Sequence, residues 1–218
     1  VLVILISVFA GGIWGWIAGW LKARRKAHEV INTIMLNFIS AALISWLVSH
    51  FFLFITTQNP ETNKILAVYQ WREWDPIAKF FADSPVSCAL LLAIFCAIAL
   101  WVFLWRTKWG FELRAVGENE TASGLSGIDV SFIQQLALSL AGALAGLVAV
   151  GEVFGNAYRY RVGFSPDFGF LGIAVALLAR NNPLGIIFSA FLYASLHKGA
   201  ADLDIETDFI TRDLSIVI

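Results

Sequence analysis

A few polar side chains stand inside long apolar stretches, and their types are the ones that could do chemistry. Asn32, Thr33 and Asn37 lie in one such stretch, Glu152 ends another, and Asn181 and Asn182 sit in a break between two more. Amide, hydroxyl and carboxylate groups offer donors and acceptors to a polar solute. Such groups are costly in lipid, so they face either a water-filled cavity or a neighbouring helix. As functional groups these six would line a translocation path. As structural groups they would make interhelical hydrogen bonds or, for Glu152, reach the outer interface. The residues alone leave both open. Thr33 and Asn37 share a helical face, with Asn32 on a different side. Gln134, Gln135 and Ser139 open the stretch that Glu152 closes. Other chemistry lacks its motifs. No Gly-x-x-x-x-Gly-Lys-Ser/Thr loop is present for ATP, and no His-Glu-x-x-His for a metal. His28, His50 and His197 are scattered, and Cys88 and Cys96 lack metal-type spacing, so the thiols are expected to be buried and inert. No metal and no bound cofactor are expected.

The elements that must position these groups follow from hydropathy. Hydrophobic residues make up 59% of the chain and charged residues 14%, about half the usual charged share of roughly 25%. One soluble core does not hide that much apolar surface. A net charge of −1 gives no field for nucleic acid. A span needs about 20 apolar helical residues. Val1–Leu21, Val30–Ile55, Ser87–Trp105 and Val130–Val153 meet that length. Phe168–Ala179 and Leu184–Leu196 fall short and are separated by Arg180-Asn181-Asn182-Pro183. They are either broken, re-entrant helices or two tilted spans, and the cost of Arg180 at mid-membrane favours a tight turn on the cytoplasmic side. The expectation is an all-α, polytopic transmembrane bundle with about six membrane segments. Ala200–Asp213 is polar and acidic and is expected to be a loop. The start at Val1 inside an apolar stretch, without a signal-peptide pattern, and the end at Ile218 as another apolar run begins, suggest a single transmembrane domain over 1–218 that lacks both ends.

Lys and Arg in the connections set the orientation. The Lys22–Lys26 cluster and the Arg106–Asp129 connection share one side, and the Thr56–Pro85 and Phe154–Asp167 connections share the other. The first pair is denser in Lys and Arg and is assigned to the cytoplasm, although Arg159 and Arg161 count against it. Gly11, Gly15 and Gly19 recur every four residues, as do Gly142 and Gly146, which marks close helix packing or a bundle that slides. Trp101, Trp105 and Trp109 step along one face toward the cytoplasmic boundary, as an interfacial belt does.

The connection over residues 106–129 is the most distinctive segment. Ala115–Leu125 is expected to form one short helix, with Glu118 and Glu120 countering the dipole in its N-terminal half, Gly127 as its stop and Asp129 capping the next span. A short helix in a cytoplasmic loop suits docking of a partner; a merely structural loop is equally consistent.

Here the sequence resembles a family. Trp105-Arg106-Thr107, Trp109-Gly110, Leu113-Arg114-Ala115-Val116-Gly117-Glu118-Asn119, Ala122 and Gly127-Ile128 are similar to a stretch in permease subunits of bacterial ABC importers, the branched-chain amino acid and ribose-type permease family, in its nucleoside or simple-sugar branch. Glu120 stands where proline is usual, and Ser123 where a second alanine is usual. Leu21-Lys22-Ala23-Arg24 with Glu29–Asn37, and Phe168–Leu178 with Arg180–Ile186, resemble further stretches of the same family in the same order, with Ala179 replacing a usual glycine.

The resemblance implies a permease that translocates its solute by alternating access in the bacterial cytoplasmic (inner) membrane, paired with a second permease subunit as homo- or heterodimer. Two ABC ATPase subunits would bind the ATP, and an extracytoplasmic substrate-binding protein would deliver the solute, facing the Thr56–Pro85 loop with Trp71 and Trp74. Arg114–Ile128 would be the coupling helix, with Arg114, Gly117, Glu118, Asn119, Ala122 and Gly127 matching the motif. The chain itself would bind no ATP and catalyse no reaction. The alternatives are a secondary transporter and a non-transporting membrane enzyme or scaffold.

Overall fold

A computed structural model describes residues 2–25, 28–52, 61–65, 88–161 and 168–206. Helix α1, Leu2–Arg25, is a 24-residue helix whose last turn carries Lys22, Arg24 and Arg25, where cations complement the helix dipole. After His28 the chain re-enters a helix, α2, Glu29–Leu47, continued by a π-helical turn over Val48–Phe52. Helix α3 is Cys88–Arg106, α4 is Lys108–Glu118 and α5 is Glu120–Leu125. Helix α6, Val130–Ala149, runs on as a π-helix through Val150–Ala157 and stops at Tyr158, which has a left-handed φ of 54°. Helix α7 is Phe168–Leu178 and α8 is Pro183–Glu206.

Among the described residues four stretches are long and apolar enough to cross a membrane: Leu2–Arg25, Val30–Phe52, Ala89–Arg106 and Val130–Phe154. At a rise of about 1.5 Å per residue the longest of them exceed a hydrocarbon core of roughly 30 Å. Their outward faces carry exposed Phe9, Phe38, Phe95 and other large apolar side chains, as a surface solvated by lipid does. The protein is an all-α, multi-pass membrane protein. The expected count of about six took the two short apolar stretches separately. In the structure they form one pair bent by 116°, a fifth membrane element if taken together.

The chain divides into two units. One holds α1, α2, α4, α5, α6 and most of α3; the other holds α7 and α8 with Ala97–Val102 of α3. In the first, the glycine spacing becomes a seam between antiparallel α1 and α6. A Cβ on Gly11 would collide with the Gly142 carbonyl, one on Gly15 with that of Leu138, and one on Gly146 with that of Ser7. A Cβ on Gly19 would lie 2.8 Å from Gln135 Cα. Backbone thus touches backbone along the whole interface, and the Ser139 hydroxyl donates to the Gly12 carbonyl across it at 3.0 Å. Dispersion at this separation is what holds helices together in lipid. The structure shows the close packing that both expectations for the glycines require.

Three expectations are corrected. Ala200–Asp213 is not a loop from its start, because α8 continues through Glu206. Alanine, leucine and glutamate favour helix whatever their polarity, and no proline or capping residue stops the run. Residues 207–213 lie outside the described residues. The single helix expected over Ala115–Leu125 is two, broken at Asn119. The tryptophan stripe is interrupted in the same way: α3 ends at Arg106, so Trp109 belongs to α4. The Thr56–Pro85 loop with Trp71 and Trp74 lies outside the described residues except Glu61–Ile65.

Candidate functional site

Local capping explains every break in the 106–129 connection. The Thr107 hydroxyl donates to the Phe103 carbonyl at 2.6 Å and accepts from the Gly110 N–H at 3.1 Å, closing α3 and opening α4 with one side chain. Gly110 is buried where α4 turns back on α3; a Cβ there would strike the Phe103 carbonyl, so only glycine fits. Asn119 is at once the C-cap of α4 and the N-cap of α5, its side chain accepting from the Ala122 N–H at 3.0 Å. Helix α5 ends in a Schellman motif: Gly127, at φ 86°, donates to the Gly124 carbonyl, and Ile128 to that of Ser123. Asp129 then caps α6 by accepting from the Phe132 N–H at 3.1 Å. The Gly127 stop and the Asp129 cap are as expected from sequence. Glu118 is not in the first half of a helix; it is the last residue of α4, an end where the dipole disfavours an anion.

The segment is pinned beneath and open above. Val116, Ser123 and Gly110 are buried. Gly117, Glu118, Asn119, Ala122 and Gly127 are exposed, and so is Leu125, at 87% of its possible surface. The Arg114 guanidinium lies 5.2 Å from the Trp105 ring centroid, a cation–π contact that holds it over the end of α3. All six sequence-predicted coupling residues therefore sit on one short segment, with Leu125 as an apolar side chain at its tip. Replacing Asn119 by alanine removes the α5 cap and is expected to cost about 1 kcal/mol, while Asn119→Asp restores an acceptor. Thermal denaturation of the two purified variants checks this order.

The segment shares one end of the bundle with the basic end of α1. The Gln134 amide donates to the Glu120 carboxylate at 2.8 Å, and Lys22 Nζ is 3.9 Å from the same carboxylate. At the other end, Glu61 and Arg161 form an antiparallel bridge, flanked by bonds from Thr62 N–H to the Tyr160 carbonyl at 3.0 Å and from Ile65 N–H to that of Tyr158 at 2.8 Å. The buried Glu61 carboxylate pairs with both Arg159 and Arg161. Burial pushes the Tyr160 phenol above its ordinary pKa, so it stays neutral. The pairing of connections, 22–26 with 106–129 and 56–85 with 154–167, thus has contacts at both ends. Glu61→Ala would leave two guanidiniums facing each other without their shared anion. The expected loss is about 1–3 kcal/mol, between the surface and buried limits, visible as a lower melting midpoint and greater proteolysis between residues 61 and 65.

Of the six translocation-path candidates, the four in the first unit, Asn32, Thr33, Asn37 and Glu152, are not gathered. Asn32 donates its side-chain amide to the Ala18 carbonyl of α1 at 3.1 Å. That is the interhelical hydrogen bond of the structural alternative, made to the carbonyl of a buried residue of α1. Thr33 bonds back to the Val30 carbonyl, and Asn37 is exposed on α2, its carbonyl accepting from Ser40. Glu152 is half-buried in the π-helix beyond Gly146, toward the opposite end of the α1–α6 seam from Asn32. Asn181 and Asn182 belong to the other unit, where they make the turn between α7 and α8. Arg180 and Asn181 have φ of 52° and 56°, Asn182 caps α8 by accepting from the Leu184 N–H at 3.0 Å, and Pro183 takes the first helical position. Ser189 donates to the Val175 carbonyl at 2.9 Å and closes this pair.

Sequence reasoning named Gly110 in the family motif, Glu120 in the dipole argument and Gln134 among the polar residues that open α6, but not the contacts they make here; it missed Glu61. Glu61 carried no local signal, since its partners lie 98 and 100 positions away.

Residues 1–206 match the family described as branched-chain amino acid transport system / permease component. The chain is 35% identical over 219 residues to a guanosine ABC transporter permease protein, NupP, of Bacillus subtilis, covering all of this chain and 62% of that protein. It is 35% identical over 204 residues to a nucleoside ABC transporter permease protein, NupB, of Lactococcus lactis, covering 91% of this chain and 56% of the relative. A glucose ABC transporter permease protein, TsgB13, of Haloferax volcanii is 28% identical over 213 residues, 94% of this chain and 55% of the relative. The chain therefore spans little more than half the length of these relatives. No solved structure matches it.

Proposed function

Because the chain belongs to the branched-chain amino acid transport system permease component family, we propose that it is a membrane-spanning permease subunit of an ATP-binding-cassette importer that carries nucleosides or simple sugars. The substrate class rests on the nucleoside, guanosine and glucose permeases it resembles. The observation that carries the mechanism is the capped, outward-facing pair α4–α5 at the basic end of the bundle. It presents Glu118, Asn119, Ala122 and Leu125 to solvent while its underside is fixed to α3, α1 and α6. A rigid exposed segment of that kind transmits displacement. Two partner ATPase subunits would bind and hydrolyse ATP, seat Arg114–Ile128 in a cleft, and reorient the helices so that the solute site opens alternately to either side. The chain itself would bind no ATP. A second permease subunit would complete the pathway, and an extracytoplasmic binding protein would load it at the Glu61–Arg161 end. The membrane would be the bacterial cytoplasmic membrane.

The test is uptake of labelled nucleosides, sugars and amino acids by cells lacking the gene and cells carrying it. Gene-dependent uptake of a nucleoside or sugar, abolished by ATP depletion and unaffected by collapse of ion gradients, is expected. Uptake that follows the ion gradient would replace the importer by a secondary transporter. No gene-dependent uptake would favour a non-transporting membrane protein.

A further inference from the structure

We infer that the corner between α3 and α4 is an interfacial site for the headgroup of an anionic phospholipid, with Arg106 and Lys108 as its cations and Trp109 and Phe111 seated at the acyl boundary. Depth is set by α3. Ala89–Arg106 is an apolar stretch of 18 residues, about 27 Å long against a hydrocarbon core of roughly 30 Å. Arg106, its last residue, therefore stands at the edge of that core. Helix α4 does not leave the edge. A Cβ on Gly110 would lie 2.6 Å from Leu104 Cα and 2.7 Å from the Leu104 carbonyl oxygen. The contact thus falls about 3 Å to the membrane side of Arg106.

The same contact fixes which side chains meet lipid. The helical neighbours of Gly110 project about 100° to either side of it. With Gly110 against α3, Trp109 and Phe111 flank the span, where lipid surrounds it. Both are open, at 53% and 61% of their possible surface, and Trp105 on the last turn of α3 is exposed as well. Aromatic side chains at this depth, beside cations, are what an interfacial helix presents to a bilayer.

Charge selects the headgroup. Arg106 is exposed, and the Lys108 side chain keeps 84% of its surface open. Thr107 between them is tied to the Phe103 carbonyl, which holds the two cations at the membrane edge. Arg114, stacked on Trp105, is a third cation at the same corner. Against these three stands the largely covered Glu112 carboxylate, 3.6 Å from Lys108 Nζ; Glu118 lies at the far end of α4. A phosphodiester oxygen suits both a guanidinium and an ammonium group. A zwitterionic headgroup carries its own cation, which the surplus positive charge here repels. An anionic lipid carries none and is drawn to cations beside a span.

The experiment places the full-length protein in nanodiscs made from equal parts of phosphatidylcholine and phosphatidylglycerol. In an otherwise cysteine-free background a nitroxide is attached at Phe111→Cys and, separately, at Leu125→Cys. Position 111 is expected to be relaxed more by oxygen than by a water-soluble nickel chelate, and position 125 the reverse. A nickel preference at position 111 would put this face of α4 in water and overturn the inference. Native mass spectrometry then counts the lipids that the protein retains when released from the nanodisc. The parent should retain phosphatidylglycerol over phosphatidylcholine. Arg106→Gln with Lys108→Gln should lower that ratio at least about fivefold, the effect of one cation beside an anionic surface. Arg106→Lys with Lys108→Arg should keep it. Arg24→Gln with Arg25→Gln, two exposed cations on α1, should retain most of it. No preference in the parent, an unchanged ratio without the two α3–α4 cations, a ratio lost in the swapped pair, or an equal loss in the α1 variant would each overturn the site. Neither readout involves an ATPase or a transported solute, so failure here leaves the importer reading standing.

Discussion

Gly142→Leu is expected to destabilise the bundle strongly. A Cβ at Gly142 would lie inside the van der Waals envelope of the Gly11 carbonyl oxygen and 3.0 Å from both Cα and N of Gly15, all backbone atoms that cannot rotate away. The helices must separate, and the facing contacts from Ser7 to Gln135 weaken together. Overpacking of this kind costs about 1–3 kcal/mol and occasionally more; with backbone on both sides, about 3 kcal/mol or more is expected. That is a large part of a typical margin of about 5–15 kcal/mol. The measurement is the yield of monodisperse protein and its melting midpoint in detergent. Gly117→Leu is the control, because no atom lies within 4 Å of a Cβ at Gly117; it should retain the parent midpoint within the cost of exchanging one exposed residue. Equal yields and midpoints for the two leucine variants would refute the seam.

Glu118→Lys and Leu125→Asp are expected to uncouple the protein without unfolding it. Glu118 ends α4, where a cation suits the dipole better than an anion by about 0.3–1 kcal/mol, so the lysine variant should fold at least as well. Leu125 is almost wholly exposed and makes no core contact that aspartate would lose. An apolar anchor that fills a partner's pocket costs about 2 kcal/mol when lost, roughly 30-fold in affinity. ATPase co-purification should fall by that order for Leu125→Asp. For Glu118→Lys, substrate-stimulated ATP turnover should fall while expression is normal. Normal transport in both variants, at normal expression, would remove the coupling role from this segment.

How much was legible depends on whether a feature is local. The glycines on α1 and α6 announce themselves by four-residue spacing, and Gly127 and Asp129 carry their turn and cap in their own chemistry. The break at Asn119 was hidden by good helix formers on both sides, Arg114-Ala115 before it and Glu120 with Ala122 after, although asparagine is a strong capping residue. The fate of Asn32 could not be read from α2 alone: a path-lining amide and a bridging amide differ only in the neighbour, and here that neighbour is the Ala18 carbonyl. The Glu61 pair with Arg159 and Arg161 is non-local in the same sense. Polarity misled at Ala200–Glu206, because a polar run at the end of an apolar helix marks where the membrane stops and not where the helix does.

The most direct test of the central claim is site-specific photocrosslinking in intact cells expressing the full-length protein, with a photoreactive residue at position 125 and, separately, at position 63 near the Glu61–Arg161 bridge. The expected result is a crosslink from position 125 to a Walker-type ATPase subunit and none to it from position 63. A crosslink from position 125 to an extracytoplasmic protein, or labelling of Leu125→Cys by an impermeant reagent from outside the cell, would contradict it.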